Sequence, residues 1–239
     1  DNLCETRQLI SMPPRTGGFA EAVALPAGNL IALPDAISYD QAALAEPIAC
    51  GWHAVRLARA TLDAPSQALV IGGGAIGVGA ALSLKAQGVD SVTLVEPNPA
   101  SRGYLGEKFD FAVVAAPPDE GTAFGDIVID AVGIEATRSV ASAQVRPGGA
   151  ILHIGLGSAR GGLDLRRMTL QEITLIGTYT YTAQDFRDTA RAMFDGRLGP
   201  LTWTESRPLK DGAVAFADIR AGRVSAPKII LKPDPSAAC

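Results

Sequence analysis

An apolar run, Leu69-Val70-Ile71, breaks into Gly72-Gly73-Gly74-Ala75-Ile76-Gly77 and continues into the small and aliphatic residues Val78 to Ala86. That succession dictates a strand, a tight turn and a helix with no intervening loop. Three of the glycines fall at the spacing of a dinucleotide-binding turn. Gly72 lets the chain leave the strand, Gly74 lets the backbone approach a pyrophosphate, and Gly77 lets the helix pack close on the sheet. The amides of Ala75 and Ile76, at the helix start, are then free to face phosphates. Alone, such a turn is weak evidence, because glycine-rich turns also occur where nothing binds.

A strand-end acid downstream strengthens it. Ser91-Val92-Thr93-Leu94-Val95 is a second β-rich run ending in Glu96. Glu96 stands about 20 residues beyond Gly77, where an acid accepts hydrogen bonds from an adenosine ribose. A carboxylate there favours NAD and repels the 2′-phosphate of NADP, and Glu96-Pro97-Asn98-Pro99 supplies no immediate arginine to offset the repulsion. The alternative for Glu96 is a solvated acid at a strand end.

Six β-like runs are spaced along the middle of the chain: Ala68 to Ile71, Ser91 to Val95, Ala112 to Ala115, Asp126 to Asp130, Ala150 to Ile154 and Ile173 to Ile176. They are nearly continuous in Val, Ile, Leu and Ala, as strands covered on both faces should be. Helical stretches between them, such as Ile134 to Ala143 ahead of the turn signal Arg146-Pro147-Gly148-Gly149, predict an α/β fold with a doubly wound, parallel, six-stranded Rossmann sheet. Between Val114 and Asp126, Pro117-Pro118-Asp119-Glu120-Gly121 reads as a loop where a crossover helix is expected. Residues 11 to 37 are rich in Pro and Gly around Phe19 to Leu25 and Asn29 to Leu33, and read as irregular β structure. Residues 40 to 60 read as a long helix broken near Pro47. Asp185 to Phe194 and Gly212 to Ala221 read as helices, and Lys228 to Leu231 as a last strand before a Pro-rich tail.

Composition narrows the function. With 47% hydrophobic residues among 239 and a mean hydropathy of +0.19, the chain has ample core for one large domain or two small ones. A net charge of −4 without a basic run argues against nucleic-acid binding. No apolar stretch is long enough for a membrane span and no signal core stands at the N-terminus, so the expectation is a soluble, cytoplasmic protein without a membrane partner. Cys4, Cys50 and Cys239 are too few and too scattered for a disulfide scaffold. The chain begins at Asp1 without a methionine, which reads as a processed or truncated protein.

Taken together, Asp1-Asn2-Leu3-Cys4, Gly17-Gly18-Phe19-Ala20-Glu21, Asn29 to Asp35, Glu46-Pro47, Trp52-His53-Ala54-Val55, the glycine turn, Asp130-Ala131-Val132-Gly133, Arg146 to Gly149 and Gly155-Leu156-Gly157 occur in an order that resembles the medium-chain, zinc-dependent alcohol dehydrogenases. Within that family the residues resemble the polyol branch that includes sorbitol dehydrogenase in particular. The resemblance implies a β-rich, GroES-like catalytic domain split around the cofactor domain: residues 1–50 and 197–239 would be its remnants and residues 51–196 the NAD-binding domain. It implies NAD and zinc as cofactors, an alcohol or polyol as substrate, and a homodimer or homotetramer paired through the edge strand Ile173 to Ile176.

Residue by residue, the resemblance assigns Glu46 to the catalytic zinc or its bound water and Cys4 to the last of four structural-zinc cysteines. The other ligands would lie upstream of Asp1, so Cys4 alone reads as a single thiol. Arg102 would lie near the ribose. Val132, Gly133, Ile154, Gly155 and Leu156, at strand ends, and Thr178, Tyr179 and Thr180, after the sixth strand, would face the nicotinamide half of the cofactor. The residues leave other readings open. His53 reads as a packed or capping histidine, and His153 either faces the cofactor or is buried and hydrogen-bonded. Trp52, Phe194 and Trp203 read as core or interface aromatics rather than a substrate box, and Glu46 is either solvated or partnered. Competing functions are a non-catalytic NAD-binding module and a zinc-independent reductase of the same fold.

Overall fold

The structure, a computed structural model, describes residues 2–118 and 123–234. Asp1, Cys239 and the Asp119-Glu120-Gly121 part of the loop reading lie outside the described residues. In chain order the elements are α1 (Tyr39–Ala42), α2 (Ala45–Arg59), β1 (Gln67–Ile71), α3 (Ala75–Ala86), β2 (Ser91–Val95), α4 (Pro99–Lys108), β3 (Ala112–Val114), β4 (Gly125–Asp130), α5 (Glu135–Gln144), β5 (Val145–His153), α6 (Leu165–Leu170), β6 (Thr174–Gly177), α7 (Ala183–Phe194), β7 (Thr204–Pro208), α8 (Gly212–Arg220) and β8 (Lys228–Lys232). The six apolar runs are six parallel strands in the order β3-β2-β1-β4-β5-β6. The chain order reverses between β1 and β4, so their carboxyl ends open a crevice at a topological switch point.

Two apolar layers cover the sheet. One joins Val70, Leu94, Ile127 and Leu152 to Ile48 and Val55 of α2, Leu84 of α3 and Met193 of α7. The other joins Leu69, Val128 and Ile151 to Ala141 and Met168. Each large aliphatic side chain so buried contributes about 1.5–3 kcal/mol. The α2–α3 contact is backbone on backbone: a β-carbon on Gly51 would lie 2.6 Å from the Ala80 backbone, and one on Gly79 would lie 2.9 Å from Pro47 O.

Three expectations change. The break in the 40–60 helix falls at Ala43-Leu44, not near Pro47. Pro47 occupies the first turn of α2, where a missing N–H breaks no intrahelical bond. Residues 11–37 form no strand; their one regular piece is a 3₁₀ turn at Ala27–Asn29, and Phe19, Val23, Leu25 and Leu30 remain exposed. These segments have no neighbouring strand to supply the ladder, and a strand without partners is not stable in water. Third, the Arg146-Pro147-Gly148-Gly149 turn lies inside β5 rather than before it: the ladder to β4 jumps from Gly125–Val145 to Ile127–Ala150, so the turn residues loop out of register. Gly148, at φ +72°, donates to Gln171 O at 2.8 Å. The chain returns to the flanks in an unexpected β7, parallel to β8.

One buried polar cluster joins α2 to α7. Asp185, 1% exposed, receives Arg56 Nε at 2.6 Å and faces His53 Nδ1 at 2.8 Å, while also closing the α7 capping box with Thr182. His53 is thus a packed, hydrogen-bonded residue. Burial alone would raise the Asp185 pKa, but hydrogen bonds from Arg56, Thr182 and His53 outweigh it and hold the carboxyl well below the usual carboxylate range. A carboxyl whose pKa falls on folding stabilises the fold above its ordinary pKa, and that stabilisation is lost as the pH drops toward the lowered value. Asp185→Ala is expected to cost about 3 kcal/mol in urea unfolding at neutral pH, because it leaves His53 and Arg56 unmatched. Below about pH 5 the wild type should progressively lose stability that Asp185→Asn does not lose.

Candidate cofactor-binding site

The glycine turn closes by backbone contact. A β-carbon on Gly77 would stand 1.8 Å from Gly72 O, and Gly72 itself has φ +103°, a conformation that favours glycine. Gly74 is the N-cap of α3, has no side-chain cap, and has nothing within 4 Å of where its β-carbon would stand. The turn therefore presents an open face lined by the uncapped amides of the first helical turn, those of Ala75 and Ile76 among them.

Glu96, at the end of β2, turns back onto this turn. Its Oε2 accepts from Gly73 N at 3.0 Å and its Oε1 from Asn98 N at 2.8 Å. Arg102, on α4, donates from Nη1 to Glu96 O and Pro97 O, both at 3.0 Å, so it braces the backbone on which Glu96 stands. Asn98 caps α4 through Ala100 N and Ser101 N. A carboxylate fixed in this way retains lone pairs for further donors such as sugar hydroxyls. Gly73 was not part of the sequence motif, yet a β-carbon there would meet Glu96 Oε2 and Leu105 Cδ1, both at 2.7 Å. Its signal was the run of three consecutive glycines, in which a spacing pattern treats the middle one as a free position.

At the carboxyl ends of β4 and β5 the chain is equally tight. A β-carbon on Gly155 would lie 2.1 Å from Val132 C, and one on Gly133 would lie 2.1 Å from Gly155 O. Asp130, fully buried, accepts from Val132 N at 3.0 Å and Gly133 N at 2.8 Å through Oδ1, and from Thr137 Oγ1 at 2.9 Å through Oδ2. Ile154 N and Gly155 N both donate to Asp130 O at 3.0 Å, and Leu156 is 83% exposed beside them. Val132, Gly133, Ile154, Gly155 and Leu156 thus form one edge of the crevice. After β6, Thr178 N donates to His153 O at 3.1 Å, while its buried hydroxyl has no hydrogen-bond partner among the described residues. Thr180 has φ +48°. Tyr179 is engaged elsewhere: its carbonyl accepts from Asn2 Nδ2 at 2.8 Å, and the Arg7 guanidinium lies 4.7 Å from its ring.

Glu46 stands exposed in the first turn of α2, with Cys50 Sγ donating toward its Oε1 at 3.8 Å. Burial, then the charge of Glu46, pushes the Cys50 thiol up to about 12. Burial and the same two neighbours also raise the Tyr181 phenol. No group of three or more His, Cys, Asp or Glu side chains that could hold a metal ion exists among the described residues. Structural or catalytic zinc needs at least three protein ligands, so Glu46 and Cys4 each supply at most one member of such a site.

A parallel doubly wound sheet with an uncapped glycine turn and a strand-end acid at its switch point defines the nucleotide-binding class of α/β proteins. Comparison with known proteins narrows this: residues 75–195 match the zinc-binding dehydrogenase family, and the chain belongs to that family. It is similar to the L-galactonate-5-dehydrogenase of Escherichia coli K12, 30% identical over 206 residues that cover 82% of this chain and 59% of that protein. Its fold is that of the 2R,3R-butanediol dehydrogenase of Bacillus subtilis, with TM-score 0.84 and 24% identity over 98% of this chain and 69% of that one. It also matches the acetophenone reductase of Geotrichum candidum NBRC 4597 in complex with NAD, with TM-score 0.82 and 24% identity over 94% and 64%. The chain thus spans less than two thirds of the length of the E. coli relative.

Gly77→Ala is expected to lower stability by at least about 3 kcal/mol in thermal or urea unfolding. The gain in helix propensity, about 1 kcal/mol, cannot offset a clash with backbone. In a C4S/C239S variant, Cys50 should resist a thiol reagent at pH 8 and react only on unfolding, since the thiolate is the reactive form.

Proposed function

We propose that this chain binds NAD in preference to NADP and forms the hydride-accepting half of an alcohol or polyol dehydrogenase. The observation that carries the reading is the hydrogen bond between Gly73 N and Glu96 Oε2, which fixes an acidic ribose acceptor against the uncapped turn. The amides at the start of α3 suit a pyrophosphate, and Gly74 leaves the backbone bare for it. Glu96 suits the two ribose hydroxyls of NAD and would repel the phosphate that NADP carries in place of one of them. The strand-end backbone of Val132, Gly133 and Ile154 to Leu156, with the Thr178 hydroxyl that has no partner among the described residues, suits an amide-bearing ring. When bound, NAD supplies the hydride acceptor; the residues of this chain orient it and cover one side of it.

Zinc chemistry is a different matter. The ligand set of the described residues does not complete a metal site, so no metal-assisted step is assigned to them. Residues 1–50 and 197–239 are proposed as two segments of one catalytic unit around the NAD domain of residues 51–196. Contacts between the flanks support this: Lys232 Nζ pairs with Asp40 at 2.8 Å, Gln41 Nε2 donates to Pro200 O at 3.2 Å, and Phe19 meets Phe216 edge to face at 5.8 Å. No helix among the described residues is long and apolar enough to cross a membrane. The edge strand β6, with Leu175 40% exposed, is proposed to pair between copies in a homo-oligomer.

Titration calorimetry should give tighter binding of NAD than of NADP. Glu96→Ala should weaken NAD by about 1.5–3 kcal/mol, because a charged acceptor is lost. Formation of NADH with a panel of secondary alcohols and polyols tests the activity. NAD binding without any turnover would leave the non-catalytic reading.

A further inference from the structure

Arg138 stands on the buried stripe of α5 beside Ala141 and Ser142 and is 5% exposed. Burying a guanidinium is costly unless its donors are met. Here they are met by two separate loops. Nη1 donates to Gly133 O at 2.9 Å, after β4, and to Ser158 O at 3.0 Å, after β5. Nη2 donates to Ser158 Oγ at 2.8 Å and to Arg160 O, and Nε donates to Gly161 O at 2.6 Å. The segment from Ile154 to Asp164 has no regular structure, so its carbonyls depend on outside donors. It is also pressed onto α5, since a β-carbon on Gly162 would lie 2.1 Å from Glu135 O. His153 completes the bracket, with Nε2 3.4 Å from Arg138 Nη1 and 3.9 Å from Asp130 Oδ2. Beside them lies a cavity of about 510 Å³ lined by Arg138, His153, Ser158, Leu165 and Leu175.

We propose that Arg138 is a positioning residue for the nicotinamide end of the cofactor, tying the post-β4 and post-β5 loops into one rigid edge. The inference rests on the NAD reading proposed for this site. Asp130 holds the Val132 and Gly133 amides from below, and Arg138 holds the Gly133, Ser158 and Gly161 carbonyls from the side. Without the guanidinium, the loop must be ordered by the ligand at the moment of binding, and affinity falls accordingly. Lysine cannot replace it, because one point charge cannot span acceptors that a planar fork reaches together. The adenosine end of the site, at Glu96 and the glycine turn, shares no hydrogen bond with Arg138.

The consequence is a split response. Calorimetric titration of the full chain with NAD and with ADP-ribose, which lacks the nicotinamide, should show Arg138→Gln and Arg138→Lys binding ADP-ribose within about twofold of wild type. The same variants should bind NAD roughly tenfold or more weakly. Equal weakening of both ligands would mean a general structural role and would overturn the proposal, as would unchanged NAD affinity. Wild-type chain that binds neither ligand overturns the NAD reading itself and this inference with it. If the Arg138 variants do not fold, Ser158→Ala removes one acceptor of the fork and should weaken NAD by a few fold with ADP-ribose unchanged; wild-type NAD affinity in that variant counts against the proposal.

Discussion

Everything at the switch point depends on how closely the backbone of α3 approaches the end of β1. The position of a Gly77 β-carbon, 1.8 Å from Gly72 O, leaves no room for any side chain. That contact fixes the start of α3, with its uncapped amides, directly after β1 and beside the parallel strand β4. The same closeness brings Gly73 within reach of Glu96. An acid at a strand end would ordinarily wander in solvent; this one has two backbone donors and a turn braced by Arg102.

The second half of the crevice follows the same logic with different groups. Gly133 and Gly155 bring two strand-end loops to van der Waals contact or closer, and Asp130 and Arg138 then satisfy the polar groups this crowding would orphan. Buried charges are thereby used to order irregular backbone rather than to pair with one another. The outcome is a preformed edge on one side of the site, whereas Phe19, Val23, Leu25 and Leu30 of the first flank stay exposed.

The sheet was legible because strands covered on both faces must be apolar along most of their length: β1, β2 and β4 are buried at nearly every position, whereas β3 and β6, at the two edges, are only partly covered and stood out by their short apolar runs. Glycines at 72, 74 and 77 were legible because their spacing is a steric requirement. Other features were not. Residues 11–37 carry strand-forming side chains, but a strand exists only with a partner, and pairing is not a local property. Arg146 to Gly149 reads as a turn by any local rule, yet the ladder resumes beyond it and β5 passes through. Gly73 and Arg138 escaped because their roles arise from contacts with residues about 20 positions away, and Asp130, although part of a recognised motif, showed no sign of folding back on the amides just after it. For Arg138 a trace existed: a charged residue on the stripe of α5 that periodicity assigns to the core.

In the proposed arrangement the glycine turn and the strand-end loops form one NAD site on this chain. Backbone amide hydrogen exchange with and without saturating NAD tests it most directly. A joint site gives added protection at Gly74 to Gly77, at Val132-Gly133 and at Ile154 to Leu156 together, with the flanks at residues 11–37 unchanged. Exchange at all three segments that NAD leaves unaltered, or protection confined to the flanks, would contradict it.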